Sequence, residues 1–236
     1  MNHSTMIDFL IVSFKRIEYI ELAVHSIHKY VNNPYKITVI DNGNEVQELT
    51  DLFKDDDLVD VIKGPQNGIW EKPGDGSKNH SAALTMGMEH TEGEYICFFD
   101  YDAIFLNEWV DDIKELLKSN FLVSYMRYDL NIFRDQFLVI HRKDVDNYNL
   151  YPNLDYKDGS GNITYFCSTN DKQTYMLKDS FSDKTLKQLH LLDIENGEQL
   201  FLNGEPIFYH YARGGSRNDN LYNKWINVVR RYLNDK

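Results

Sequence analysis

Asp100 and Asp102 stand one residue apart at the end of an apolar run, Tyr95-Ile96-Cys97-Phe98-Phe99. Two carboxylates this close repel, and each raises the cost of ionising the other unless a cation lies between them. A hard divalent ion such as Mg2+ or Mn2+ takes oxygen ligands and often joins carboxylates to the phosphates of a substrate. The pair therefore points to metal-assisted chemistry on a phosphate-bearing ligand; a turn with two solvated aspartates is the plainer reading. Far downstream, His210 closes a second apolar run and precedes Gly214-Gly215-Ser216-Arg217. Glycines let backbone approach a ligand closely, while Ser and Arg offer a hydroxyl and a guanidinium to phosphate oxygens. Lys78 and His80 stand where a Gly- and Pro-rich loop enters a helix, and a helix N-terminus favours anions. Lys15 and Arg16 follow the first apolar run, where a cation near a diphosphate would be useful, and Phe14 there could stack on a ring or finish a core.

The elements that must position these residues alternate between strand and helix. Ile7–Phe14 is an apolar run suited to a strand buried on both faces. Ile17–Val31 places apolar residues at spacings of three and four, which predicts an amphipathic helix. Tyr35–Asp41 and Leu58–Ile62 read as further strands, Ser81–His90 as a helix, Glu94–Asp100 as a fourth strand and Asn107–Ser119 as a helix. Strand, helix, strand at this spacing is the unit of a parallel sheet, and ligands of such sheets bind beyond the carboxyl ends of the strands. Between them, Gly64, Pro65, Gly68, Pro73, Gly74 and Gly76 break the pattern; a long irregular loop of this kind is usually functional or mobile. In the second half, 121–126 and 136–141 read as strands, 147–170 as mostly loop, 194–203 as a short helix and 206–211 as a last strand. Leu221, Trp225, Val228 and Tyr232 give a C-terminal helix.

Composition narrows the class. Twenty-five Lys and Arg against 37 Asp and Glu give a formal charge of −12 over 236 residues, which argues against a phosphate-backbone binder of nucleic acid. No stretch of about 18 apolar residues appears, so no transmembrane segment is expected, and no signal peptide is visible. Cys97 and Cys167 are far apart and form no CxxC, so a disulfide framework is excluded and a reducing, cytoplasmic setting is expected. The 14% aromatic content is high and hints at a surface that stacks on rings, with Tyr148, Tyr151, Tyr156, Tyr165, Phe166 and Tyr175 gathered in the second half; a loop-rich core is the plainer account. One domain over 1–236 is expected.

Several patches, in order, resemble the family 2 type of glycosyltransferase with the GT-A fold. Val12-Ser13-Phe14-Lys15-Arg16 is similar to the strand end "P-x-Y/F-N-R", and Val39-Ile40-Asp41-Asn42-Gly43-Asn44 to "V-D-D/N-G-S". Asn67-Gly68 resembles "N-x-G", and Glu92-Gly93-Glu94-Tyr95-Ile96 leading to Asp100-Tyr101-Asp102 resembles "A-x-G-E-Y-I-x-F-L-D-x-D", the most specific string. Downstream, Asp193 and Gly204 lie eleven apart, ahead of the strand that ends in His210; the Glu usual before that Asp is replaced by Leu192.

The resemblance implies a Rossmann-like α/β fold with a central, mostly parallel mixed sheet flanked by helices. It implies a nucleotide-binding half over about 1–106 and an acceptor-binding half over about 107–236. It implies Mn2+ or Mg2+ on Asp100, Asp102 and His210, and a UDP- or GDP-sugar donor near Ser13, Phe14, Arg16, Asp41, Asn67, Lys78, His80, Asp100, Tyr101 and Arg217. Asp193, with Glu195 as second choice, would be the base taking a proton from a glycan or other acceptor hydroxyl in an inverting transfer. A retaining transfer with the same donor site stays open. A haloacid-dehalogenase-like phosphohydrolase would also carry Asp-X-Asp after a strand, but Ile104 stands where it wants Thr or Val. A related nucleotidyltransferase would need a Gly-rich first loop where VSFKR stands. A non-catalytic carbohydrate-binding domain would explain the aromatics without needing the paired carboxylates.

Overall fold

Ile7–Ser13 is buried along its whole length because it is the second innermost strand of a sheet covered on both faces. The computed structural model describes residues 5–65, 75–127, 131–151, 160–179, 198–211 and 219–234. Side chains of this strand, β1, alternate: Phe9 and Ile11 enter one apolar cluster and Leu10 and Val12 the other. A period of two with both faces apolar gives the unbroken hydrophobic run seen in the sequence.

The chain continues through α1 (Ile17–Tyr30), β2 (Tyr35–Asp41), α2 (Val46–Phe53), β3 (Val59–Lys63), α3 (Asp75–Met88), β4 (Tyr95–Phe99) and β5 (Ala103–Phe105). Next come α4 (Val110–Leu117), β6 (Leu122–Ser124), β7 (Met126–Arg127), β8 (Ile132–Phe133), β9 (Phe137–His141), α5 (Arg142–Tyr148) and α6 (Gly161–Thr169). β10 (Tyr175–Met176), β11 (Lys178–Asp179), β12 (Glu198–Leu202), β13 (Glu205–His210) and α7 (Asp219–Asn234) complete the described elements. The main sheet runs β10-β6-β9-β4-β1-β2-β3. β9 is antiparallel to both its neighbours, and the other pairs are parallel. After β3 the chain returns to the other side of β1, so the order reverses between β1 and β4, the place where open sheets of this kind bind ligands.

A second sheet, β11-β12-β13-β5, is antiparallel throughout. Asp100-Tyr101-Asp102 is the corner at which the chain leaves the first sheet at β4 and enters the second at β5. Beneath that corner lies an aromatic core: the Phe105 ring is 4.6 Å from Phe99, 4.8 Å from Trp109 and 5.8 Å from Phe137, and Phe137 is 5.3 Å from Phe208. Much of the aromatic content is therefore spent on packing. Of the six second-half aromatics, Tyr148 and Tyr165 are exposed, Tyr151, Phe166 and Tyr175 are partly buried against the two clusters, and Tyr156 lies outside the described residues.

Three sequence expectations need correction, and one helix was not expected. Within the helix expected over 194–203, the described residues form a strand instead: Glu198–Leu202 is β12. The turn after it, Asn203-Gly204, has φ of 53° and 88°, the left-handed pair that joins a tight hairpin and that Asn-Gly adopts at low cost. The stretch 147–170, expected as loop, contains the end of α5 and all of α6, where Ile163 and Cys167 bury one face. A short helix, α2, connects β2 to β3 and buries Leu49, a link the sequence reading passed over. Finally, α3 begins at Asp75 instead of Ser81, so Lys78 and His80 sit within the helix and Asn79 and Ser81 do not cap it.

Candidate active site

The register of the second sheet assembles the site. β13 pairs with β5 so that His210 lies opposite Ala103, next in chain to Asp102, and β12 pairs with β13 so that Glu198 lies opposite His210. The Tyr211 amide donates to the Asp102 carbonyl at 2.9 Å, and the Asp100 amide donates to the Gln136 carbonyl at 3.1 Å, which fixes the corner to both sheets. His210 Nε2 is then 3.0 Å from Asp102 Oδ1 and 3.3 Å from Asp100 Oδ2. Its Nδ1 is 3.1 Å from Glu198 Oε2. Glu198 Oε1 is 2.8 Å from the Arg134 guanidinium, and the Tyr125 hydroxyl donates to Glu198 Oε2 at 3.0 Å.

The electrostatics follow from burial and charge. Burial alone would lower the His210 pKa, but Asp102, Asp100 and Glu198 outweigh it and hold the imidazole well above its usual range. Burial would raise Asp100, but the bond and charge of His210 outweigh it and keep the carboxyl below its usual value. Glu198 is lowered in the same way, by His210, Arg134 and Tyr125 against burial. Tyr101 is pushed well up, first by burial and then by Asp102 and Asp100. The carboxylates thus draw positive charge into the corner.

A divalent cation fits that demand. One ligand atom each from Asp100, Asp102 and His210 lie within 4.8 Å of one another. Around a small cation with bonds of about 2.1 Å, octahedral ligand atoms stand about 3 Å apart when adjacent and about 4.2 Å apart when opposite. Two carboxylate oxygens with one imidazole nitrogen is a donor set suited to Mn2+, and acceptable to Mg2+.

At the ends of β1 and β2, Ser13 Oγ donates to Asp41 Oδ1 at 3.3 Å. Asp41 also accepts from the amides of Gly43 at 2.8 Å and Glu45 at 2.7 Å, so its carboxylate organises the turn after β2. Lys15 and Arg16 both have positive φ, 58° and 65°, an uncommon backbone for non-glycine residues that is found at constrained functional turns. Gly43 accommodates this turn: a Cβ there would meet the Lys15 nitrogen at 2.6 Å. The Arg16 guanidinium lies 4.3 Å over the Tyr222 ring, and half-buried Phe14 lies beside the Lys15 ammonium at 5.1 Å. On α3, Lys78 is exposed and His80 Nε2 is 3.6 Å from Asp135 Oδ2, with His80 close enough to lower Asp100. Tyr101 stands edge-on to Tyr19 at 5.8 Å. Asn67, Asp193, Glu195 and Arg217 lie outside the described residues, as do Gly214, Gly215 and Ser216.

Sequence reasoning did not find Arg134, Tyr125 or Asp135, and it placed Glu198 only on the helix expected over 194–203. Asn203-Gly204 read as a hairpin turn puts Glu198 on a strand opposite His210. No local signal marks the other three, because they converge only through the packing of separate strands.

Comparison with known proteins bears on the family and the fold. Residues 8–171 match the model of glycosyl transferase family 2, and the chain belongs to that family. It is 25% identical over 129 residues to an uncharacterized glycosyltransferase of Rickettsia felis, covering 53% of this chain and 20% of that protein. A Rickettsia conorii glycosyltransferase matches with the same identity and coverage, so the match spans about a fifth of the length of these relatives. Among solved structures, the mannosyltransferase PcManGT of Pyrobaculum calidifontis, in complex with GDP-Man and Mn2+, superposes with a TM-score of 0.56 at 11% identity, covering 96% of this chain and 69% of that one. Residues 1–349 of S. aureus TarS in complex with UDP superpose with a TM-score of 0.53 at 13% identity, covering 84% and 67%. At these identities the likeness shows the fold, a GT-A α/β architecture. No described helix is long and apolar enough to cross a membrane.

Proposed function

We propose that this chain transfers a sugar from a nucleotide-diphospho-sugar to an acceptor hydroxyl, with a divalent ion held by Asp100, Asp102 and His210. The observation that carries the reading is the convergence of these three side chains at the corner between the two sheets, within 4.8 Å of one another. When bound there, the ion would neutralise the diphosphate and ease its departure. A UDP- or GDP-sugar is the proposed donor, supported by the UDP and GDP-Man bound to the two structural neighbours. The same Mn2+-bearing neighbour favours Mn2+ here over Mg2+.

The chain's own residues would do the rest. The ends of β1 and β2 would hold the nucleoside, with Phe14, Ser13 and Asp41 near the base and Arg16 toward the phosphates. Asn67, Lys78, His80, Tyr101 and Arg217 would complete the donor pocket. Asp41 is already committed to its turn through both oxygens, so it would act by shaping the pocket wall as well as by accepting a hydrogen bond. Asp193, or Glu195, would take the acceptor proton in an inverting transfer. Residues 1–236 would act as one catalytic domain, since the two sheets share the Asp100–Asp102 corner. Two buried, unpaired cysteines fit a reducing, cytoplasmic setting.

Mn2+-dependent hydrolysis of a panel of UDP- and GDP-sugars tests the reading. Turnover of one or more donors, lost on chelation and reduced by at least about a hundredfold in Asp102→Ala, is expected. Full metal-dependent turnover in that variant would sink the site assignment.

A further inference from the structure

Glu198 has its carboxylate fully engaged without contributing to the three-residue cluster. Its Oε1 faces Arg134 at 2.8 Å, and its Oε2 faces both the Tyr125 hydroxyl at 3.0 Å and His210 Nδ1 at 3.1 Å. The groups holding it are themselves tied together. The Arg134 amide donates to the Tyr125 carbonyl at 2.9 Å, the Arg134 guanidinium lies 5.6 Å from the Tyr125 ring centroid, and the β7–β8 hairpin joins the two residues. Arg134 pairs with the Glu198 charge, and Glu198 faces Nδ1 of His210, opposite the Nε2 that Asp100 and Asp102 face. An imidazole can give one nitrogen to a cation only if the other carries the proton, and an acceptor at that second nitrogen fixes both tautomer and ring angle.

We propose that Glu198, clamped by Arg134 and Tyr125, is a positioning residue: it holds the His210 ring with Nδ1–H toward itself, so that Nε2 is presented to a cation shared with Asp100 and Asp102. The inference rests on the metal reading above. It makes the β12–β13 pairing and the β7–β8 hairpin part of the metal site, although neither supplies Glu198, Arg134 or Tyr125 as a ligand.

Titration of the full chain with Mn2+, followed by the electron paramagnetic resonance signal of the free ion, separates the two claims. Asp102→Ala should lose the site; binding unchanged in that variant would overturn the metal reading itself. Glu198→Ala should weaken Mn2+ by about tenfold to a hundredfold, and Glu198→Gln, which keeps an acceptor oxygen, should recover most of the loss. Imidazole nitrogen NMR of the Mg2+-loaded protein should show the proton on Nδ1 of His210 in wild type and a mixed tautomer in Glu198→Ala. Wild-type Mn2+ affinity in both Glu198 variants, with Asp102→Ala still inactive in binding, would overturn the positioning role alone. So would an unchanged His210 tautomer in Glu198→Ala.

Discussion

Asp41 carries a structural duty beside the ligand role proposed for it. Its carboxylate accepts from Gly43, Glu45 and Ser13, so it holds the turn that brings the β2 end against the Lys15–Arg16 turn. Removing it leaves two partly buried amides without their acceptor. Asp41→Ala should therefore cost about 1–3 kcal/mol in urea unfolding, apart from any effect on nucleotide binding. A variant as stable as wild type would mean that these bonds are replaced by water. At Asp102 the balance is different. Its neighbours are a second carboxylate and an imidazole, so its substitution should act on metal-dependent turnover.

At the scale of elements, the Glu92-Gly93 turn entering β4 is held by β1. Asp8 Oδ2 accepts from the Glu92 amide at 2.7 Å and from the Gly93 amide. A Cβ on Gly93 would meet the Met6 carbonyl at 2.7 Å and Asp8 Oδ2 at 2.9 Å. The carbonyl is backbone and cannot swing away, so Gly93→Ala should destabilise by about 1–3 kcal/mol, read from the urea midpoint. Thus the glycine of the Glu-Gly-Glu-Tyr-Ile string is required for close strand packing.

Asp8 itself carries a pH signature. Burial raises its pKa, against the opposing pull of the Gly93 and Glu92 amides and of Arg142. A carboxyl raised in the folded state binds its proton more tightly there than in the unfolded chain, whose value is about 3.9. Its contribution is full below that pH and is lost as pH rises through the folded value. Relative to Asp8→Asn, which does not titrate, wild type should lose stability as pH rises from about 4 toward neutrality. Paired denaturation curves at several pH values check this; a constant difference would refute it.

For the whole molecule, −12 net charge and a corner that gathers carboxylates make a bound cation a stabilising ligand. An ion that binds only the folded state adds about 2.7 kcal/mol at one hundred times its dissociation constant. For a chain of this size that corresponds to roughly 5–10 °C in Tm. Mn2+ should raise the melting temperature by that order in wild type and leave Asp102→Ala unmoved. The rest of the molecule braces the corner from behind. Trp225 of α7 stacks on Tyr211 at 4.8 Å and 4°, and Tyr222 meets Tyr19 edge-on at 5.0 Å, so the C-terminal helix is anchored to β13 and α1 beside the site.

The first half of the fold was legible because both faces of its sheet are covered. That burial forces continuous apolar strands such as Ile7–Ser13 and Tyr95–Phe99, and the helix between β1 and β2 shows a clear period of three and four. Asp100 and Asp102 were legible for the same reason, since an apolar run names the strand at whose end they stand. The second half was harder to read. Its strands are short, β12 was hidden in a polar stretch, and α6 buries only a narrow face. What the residues determine alone is local: strand ends, the Asn203-Gly204 turn and the spacing of the two aspartates. Tertiary structure decided which distant residues meet them. A pairing register between strands more than one hundred residues apart, β5 and β13, sets His210 opposite Ala103 and so beside Asp102, and the β12–β13 hairpin then brings Glu198 to the same place; the long-range register is fixed by the packing of both sheets on a shared aromatic core.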